Sequence, residues 1–323
     1  MSATETHAMK WTAAALEQRV VRYGGLVPCY NAFIDTRSPG SEAKENFTIV
    51  GPGVSENPAQ FVHIAEPHGY NIGGARQPPA CVNSQHSHDT AEVFVVHSGR
   101  WRFDLGENGE DAQIELAPGD VISLPTKTFR GFTNIGEESG FLFAVLGGDD
   151  PGRVTWAPKV FEMAKDYGLA LLDSGRLVDL AAGEAIPEGA VLMPPTRPED
   201  AAAMRRVSPV EAGMFVVRSA GDQAGATRII GKGAPLGWSH GFTLDRLALP
   251  AGASEQLPTG GKFVLFVHEG ELELDCGEAD TLVLGKGDTM SVPADLCPNV
   301  RATSAATLFI VRREAETNGD GAG

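Results

Sequence analysis

Residues 81–101 read CVNSQHSHDTAEVFVVHSGRW. The two-residue spacing of His86 and His88 puts both imidazoles on one face of a strand, a few ångströms apart. Asp89, Thr90 and Ala91 can turn the chain, and Glu92 then opens a second strand on the same interior face. In the run Glu92–His97, Glu92, Phe94 and Val96 share one side, and Val93, Val95 and His97 the other. Both sides are apolar. One is expected to face a barrel interior. The other is expected to lie under a second sheet, from elsewhere in the chain or from a neighbouring subunit, which points to a homo-oligomer.

The same text recurs further on. VFVVHSGRWRFDLGE at 93–107 aligns with LFVHEGELELDCGE at 265–278, and LAPGDVISLP at 116–125 with LGKGDTMSVP at 284–293. The offset of about 170 residues is domain-sized. Short strands separated by Gly-Asp turns predict an antiparallel sandwich or jelly-roll barrel in each half.

Composition agrees. The chain has 323 residues, 42% of them hydrophobic, with 39 glycines and 21 prolines, which favours many short strands over a helical bundle. A net charge of −16 repels nucleic acid and anionic lipid, so neither is an expected partner. The four cysteines are scattered with no CxxC pair, which excludes a thiolate zinc site or redox motif of that kind. No run approaches the roughly 18 apolar residues of a membrane span, and the first residues lack a signal-peptide layout. A cytoplasmic, reduced protein is expected. No nucleophile elbow, Walker loop or dinucleotide fingerprint occurs.

Along the chain, residues 1–60 read as an N-terminal helix (9–22) and a loop-rich arm. Residues 61–150 form the first β block. A helix over 157–168 opens a Pro- and Ala-rich connection covering 151–207. Residues 208–313 form the second β block, and 314–323 read as a disordered tail.

Two imidazoles and a carboxylate converging on one point suit one divalent transition metal per chain. Fe(II) is favoured because open positions remain, and Mn, Ni, Co or Zn are physically possible. Here the text resembles the cupin superfamily. His86-x-His88-x3-Glu92-x6-Gly99 is similar to the first cupin motif. Gly119-x5-Pro125, with Asn134 beyond it, is similar to the second. With the repeat, the chain resembles a bicupin. This implies an all-β fold of two tandem cupin (jelly-roll β-barrel) domains with a few peripheral helices. The first is expected to carry His86, His88 and Glu92 as metal ligands.

The departures are specific. Ala80 and Lys127 stand where the motifs have glycine, and Arg130 stands where the second motif has its histidine ligand. Arginine is a permanent cation and a donor only, so it does not ligate a metal. The resemblance implies that Arg130 points into the barrel as a catalytic and substrate-binding group, forking onto a small anionic substrate. Trp101, Arg76 and Gln85 are further substrate-binding candidates. In the second half, Phe263 takes the glutamate position and Pro298 the histidine position, so that barrel is expected to be metal-free. His97 and His268 are equivalent in the two halves, which assigns them to packing. The layout is similar to gentisate-type and quercetinase-type dioxygenases, although those of the gentisate type use three histidines. That implies an Fe(II) dioxygenase. A metal-dependent isomerase, lyase or decarboxylase using the cation as Lewis acid, and a non-enzymatic ligand-binding cupin, use the same residues and stay open.

Overall fold

The computed structural model describes residues 11–219, 223–276 and 280–314. The chain divides into two compact units, Leu26–Ala220 and a second made of Met1–Gly25 with Gly221–Gly323.

The unit Leu26–Ala220 is built on two sheets. The larger runs in the order Val216–Val217, Val121–Leu124, Glu92–Ser98, Gly140–Gly147, Tyr70–Gln77, Glu45–Val50, Val62–Ile64. The smaller runs Val154–Trp156, Val82–His88, Arg130–Asn134, Trp101–Leu105, Ala112–Leu116. All pairings are antiparallel except that of Glu45–Val50 with Val62–Ile64. The inner faces meet through Phe94, whose ring lies 5.3 Å from those of both Phe103 and Phe132. This is the two-layer packing that alternating strands require.

Sequence explains these strands locally. In Trp101–Leu105 the odd positions are fully buried and Arg102 and Asp104 are only half-buried, the period-two pattern of a strand with one wet face. In Glu92–Ser98 every residue up to His97 is buried. Val93 and Val95 are covered within the single chain, so no neighbouring subunit is needed to bury them. Gly99 has φ +83°, and a Cβ there would sit 2.7 Å from the Gly140 Cα, so only glycine makes this turn. Ala80 (φ 62°) and Lys127 (φ 57°) are the two non-glycine residues with positive φ among the described residues. They are the two positions at which the cupin motifs carry glycine, so the backbone keeps the glycine conformation after the glycine is gone.

The other unit repeats the plan. Its six-stranded sheet runs Val20–Val21, Thr289–Val292, Phe263–Glu269, Ala306–Arg313, Phe242–Leu249, Gly225–Ile230, and its four-stranded sheet Ser254–Gln256, Asn299–Ala302, Glu271–Asp275, Thr281–Gly285. Leu247, Phe263, Leu265, Leu272, Leu284 and Met290 belong to one buried cluster that fills the interior.

The division differs from one drawn along the sequence. Residues 11–25 join the C-terminal barrel, with Val20 opposite Met290 and Leu16 buried in its core. Residues 26–60 and 151–219 complete the N-terminal unit. The helix expected over 9–22 spans Ala13–Glu17, capped by Thr12, whose hydroxyl accepts from the Ala15 N–H. It stops there because β-branched Val20 and Val21 extend into the sheet. The helix expected at 157–168 spans Pro158–Asp166. Residues 315–323, most of the expected tail, lie outside the described residues.

Candidate metal centre

His86 and His88 end the strand Val82–His88, and Glu92 begins the next. The turn between them folds the three onto one point. Their ligand atoms all lie within 4.8 Å of one another, and all three side chains are buried. Among the described residues this is the one such cluster of three His, Cys, Asp or Glu. His88 Nε2 is 3.5 Å from Glu92 Oε1, and the two imidazoles stand edge to face, 5.1 Å apart.

A register shift between Arg130 and Phe132 makes this geometry. Arg130 lies opposite His86 but Phe132 lies opposite Asn83, so Asn83 and His86, three apart, both reach the interior.

The groups behind the cluster fix its members. His86 Nδ1 is 2.7 Å from the Ser84 carbonyl. A carbonyl only accepts, so Nδ1 carries the proton and Nε2 keeps its lone pair for a ligand. The Trp156 ring packs 5.3 Å from His86 and donates its Nε1–H to Glu56 Oε1 at 2.7 Å. Glu56 Oε2 accepts from the Ile34 N–H at 2.7 Å, and burial pushes this carboxyl up to about 8. A fully buried ion pair, Lys44 with Asp35, lies behind Asn83. Lys44 Nζ donates to Asn83 Oδ1 at 3.2 Å, and Asp35 Oδ2 accepts from the Ser84 N–H at 2.9 Å.

Arg130 is fully buried and turned onto Glu92. Its Nε and Nη2 both donate to Glu92 Oε2, at 3.0 and 2.6 Å, and Nη1 donates to the Thr128 carbonyl at 3.3 Å. Oε1 is left facing His88. Burial raises the Glu92 carboxyl above its ordinary value, while the charge and hydrogen bonds of Arg130 act in the opposite direction. Two charge-assisted N–H donors on one oxygen are the geometry of a carboxylate. Burial, and then the Arg130 charge, lower His86 to about 3 and His88 well below its ordinary value, so both rings are neutral with lone pairs to offer. This donor set fits a divalent transition metal: two neutral imidazoles and one carboxylate oxygen, in a pocket with room beside them.

That pocket has a volume of about 70 Å³ and is lined by His86, His88, Glu92, Asn83, Phe94 and Phe132, with Asn46, Thr48 and Leu146 among the rest. Arg130 does not line it, because the guanidinium is engaged by Glu92. The other three substrate candidates are elsewhere. Trp101 is buried beside Phe132 and donates its Nε1–H to the Ser98 carbonyl. Arg76 lies over the Phe47 ring and pairs with Glu45 at 3.0 Å. Gln85 projects from the other face of its strand and donates to the Asp104 carbonyl. The residues that sequence reasoning missed are Asn83, Asn46, Lys44, Asp35, Trp156 and Glu56. No spacing signal links the arm residues Asp35, Lys44, Asn46 and Glu56 to the histidines. Asn83 lies close in sequence, but strand parity points it away until the register shift is known.

In the C-terminal barrel, Phe263 is buried in the leucine core and His268 packs edge-on against Phe309. His97 packs the same way against Phe141.

Comparison with known proteins now places the fold. Residues 75–146, the segment holding the whole cluster, match the family model described as cupin domain. The N-terminal barrel is a cupin. The chain as a whole has the bicupin fold, and its solved relatives in shape are diverse. Oxalate decarboxylase from Bacillus subtilis superposes with a TM-score of 0.55 at 11% identity, covering 92% of this chain and 76% of that one. An 11S globulin from Wrightia tinctoria, described with an auxin binding site, gives 0.56 at 12%, covering 93% and 84%. A bacterial pirin from Escherichia coli, solved in complex with nickel(II), gives 0.50 at 9%, covering 92% and 99%. At such identities the likeness is one of fold. No curated protein sequence matches the chain. No helix among the described residues is long and apolar enough to cross a membrane.

Proposed function

We propose that this bicupin is a metal-dependent enzyme. It holds one divalent transition metal in its N-terminal barrel through His86 Nε2, His88 Nε2 and Glu92 Oε1, and acts on a small substrate in the adjoining pocket. The observation that carries this is the convergence of three ligand atoms within 4.8 Å inside a cavity. Fe(II) is the favoured metal and dioxygenation the favoured chemistry, with Mn, Ni, Co or Zn as other candidates. Bound there, Fe(II) supplies redox chemistry and open coordination positions. The protein supplies the rest. Ser84 holds the tautomer of His86. Arg130 holds Glu92 by one oxygen and leaves the other free. Phe94 and Phe132 give the pocket apolar walls that limit water.

The test is metal analysis of protein purified without chelator, followed by anaerobic loading with Fe(II) and measurement of O2 uptake with small organic and aromatic acids. Stoichiometric metal and acid-dependent uptake are expected. Turnover that continues without O2, or with Zn in place of Fe, moves the assignment to Lewis-acid chemistry.

A second reading rests on the Arg130–Glu92 ion pair. Arg130 already neutralises the single carboxylate of the cluster, so the site is charge-balanced without a metal. It replaces the first if no metal binds stoichiometrically.

A further inference from the structure

The groups behind the candidate metal cluster carry a second chemistry. Lys44 and Asp35 are fully buried and Asn83 is 5% exposed. Lys44 Nζ donates to Asp35 Oδ1 and, at 3.2 Å, to Asn83 Oδ1. The site therefore brings together an amine, the carbonyl of a primary amide and a carboxylate that can take the amine's proton. These are the three parts of an amide transfer. Neither Lys44 nor Asp35 lines the pocket beside the cluster, so no role in the proposed metal chemistry accounts for them.

The backbone fixes the three residues against one another. The Val82 N–H donates to the Gly40 carbonyl at 2.8 Å, and the Ser41 hydroxyl donates to the Val82 carbonyl at 2.7 Å. These bonds dock the arm on the strand Val82–His88. Asp35 Oδ2 accepts from the Ser84 N–H at 2.9 Å, next to Asn83. Lys44 leads directly into the strand Glu45–Val50, which holds its Cα in place. The Phe33 ring lies 5.8 Å from Nζ and closes one side with apolar surface. Groups confined in this way react as though present at about 10⁵–10⁸ M. An ion pair held so far from water is also costly, and the transfer removes both of its charges.

We propose that Lys44 and Asn83 join through an isopeptide bond that the folded chain forms by itself, with Asp35 as the proton carrier. Asp35 takes one proton from the ammonium. The neutral Nζ attacks Asn83 Cγ, the carbon bearing the oxygen that Nζ already contacts. A bond forms between Nζ and Cγ, and the bond between Cγ and Nδ2 breaks. Asp35 hands its proton to the departing Nδ2 and takes a second from Nζ. Ammonia leaves, Nζ ends as an amide N–H, and Asp35 ends as a neutral carboxyl. No oxidant, cofactor or metal takes part. The product ties the arm covalently to the strand that carries His86 and His88, whether or not a metal is bound there.

Mass spectrometry of the full chain under denaturing conditions, after overnight incubation of the folded protein at neutral pH, tests this. The wild-type chain is expected to be lighter than its sequence by about 17 Da, the mass of the ammonia lost. Trypsin should fail to cut after Lys44, so that residues 38–76 and 77–100 appear as one branched peptide joined at Lys44 and Asn83. Lys44→Met and Asn83→Leu should keep the full sequence mass. Asp35→Asn retains both reacting groups and should form the bond far more slowly. A wild-type chain at full mass, cut normally after Lys44, overturns the inference, and it does so whether or not the variants fold. A loss that persists in Lys44→Met also overturns it, because an asparagine has then cyclised elsewhere.

Discussion

Arg130 places two N–H donors on a single oxygen of Glu92, at 3.0 and 2.6 Å, and leaves the other oxygen beside His88. The side chain that takes the place of a fourth ligand has thereby become the clamp of the third. Removing one partner of a buried pair leaves the other charge uncompensated, typically about 3–5 kcal/mol. Arg130→Met should therefore destabilise the metal-free protein by about that much in urea unfolding. Saturating Zn(II) should recover part of the loss by replacing the missing positive charge.

His88→Ala removes one of the three proposed ligand atoms and opens a small polar gap. Metal content by elemental analysis should fall from one ion per chain to nearly none. Far-ultraviolet circular dichroism should be unchanged, because the strand Val82–His88 is held by its backbone pairing on both sides. Full metal retention would remove His88 from the ligand set.

Ala80 and Lys127 sit at positive φ, where a Cβ is disfavoured. Ala80→Gly and Lys127→Gly should each stabilise the fold, by about 0.5–1 kcal/mol after the extra freedom of glycine in the unfolded chain is set against the relieved strain. Thermal unfolding of the single and double variants checks this. The sites are independent, so the effects should add.

Glu56 carries a raised carboxyl pKa of about 8, against an ordinary 4.5, because burial disfavours its charge. Between those two values the unfolded chain releases this proton while the folded chain retains it. The contribution of Glu56 to stability is therefore unaffected below pH 4.5 and declines as pH rises from about 4.5 to 8. The wild-type urea midpoint minus that of Glu56→Gln, which keeps an oxygen to accept from the Trp156 Nε1–H, should therefore fall as pH rises across that window.

Leu16, on the short helix Ala13–Glu17, is fully buried in the core of the C-terminal barrel. Leu16→Ala should cost about 2–5 kcal/mol, as for other core leucines. Hydrogen exchange should accelerate in the strands Phe263–Glu269 and Thr289–Val292 before it does in Glu92–Ser98.

Strand periodicity and the 170-residue echo were enough to read two barrels. The His86, His88, Glu92 spacing was enough to read a convergent cluster, because its three members lie on adjacent strands joined by one short turn. What escaped was set by long-range packing. Parity correctly puts Glu92 and Phe94 on one face. It fails at Asn83, where a register shift resets the face, and it says nothing of what lies behind, where Lys44 and Asp35 arrive from the arm. The motif resemblance implies an Arg130 that reaches for substrate. A guanidinium in a dry interior pairs with the nearest carboxylate, and here that carboxylate is Glu92. Trp101, Arg76 and Gln85 each found a nearer partner in the same way, in Ser98, Glu45 and Asp104.

The pairing of Val20 with Met290 imposes an order on biosynthesis. At about 5–20 residues per second, the first strand of the C-terminal barrel waits on the order of ten to fifty seconds for its partner to leave the ribosome. The barrel that carries the candidate site is finished by Ala220, so it can close while those early residues still trail unpaired. A nascent chain halted near residue 250 should already carry a folded half with the candidate cluster, and a Val20–Val21 strand still without its partner.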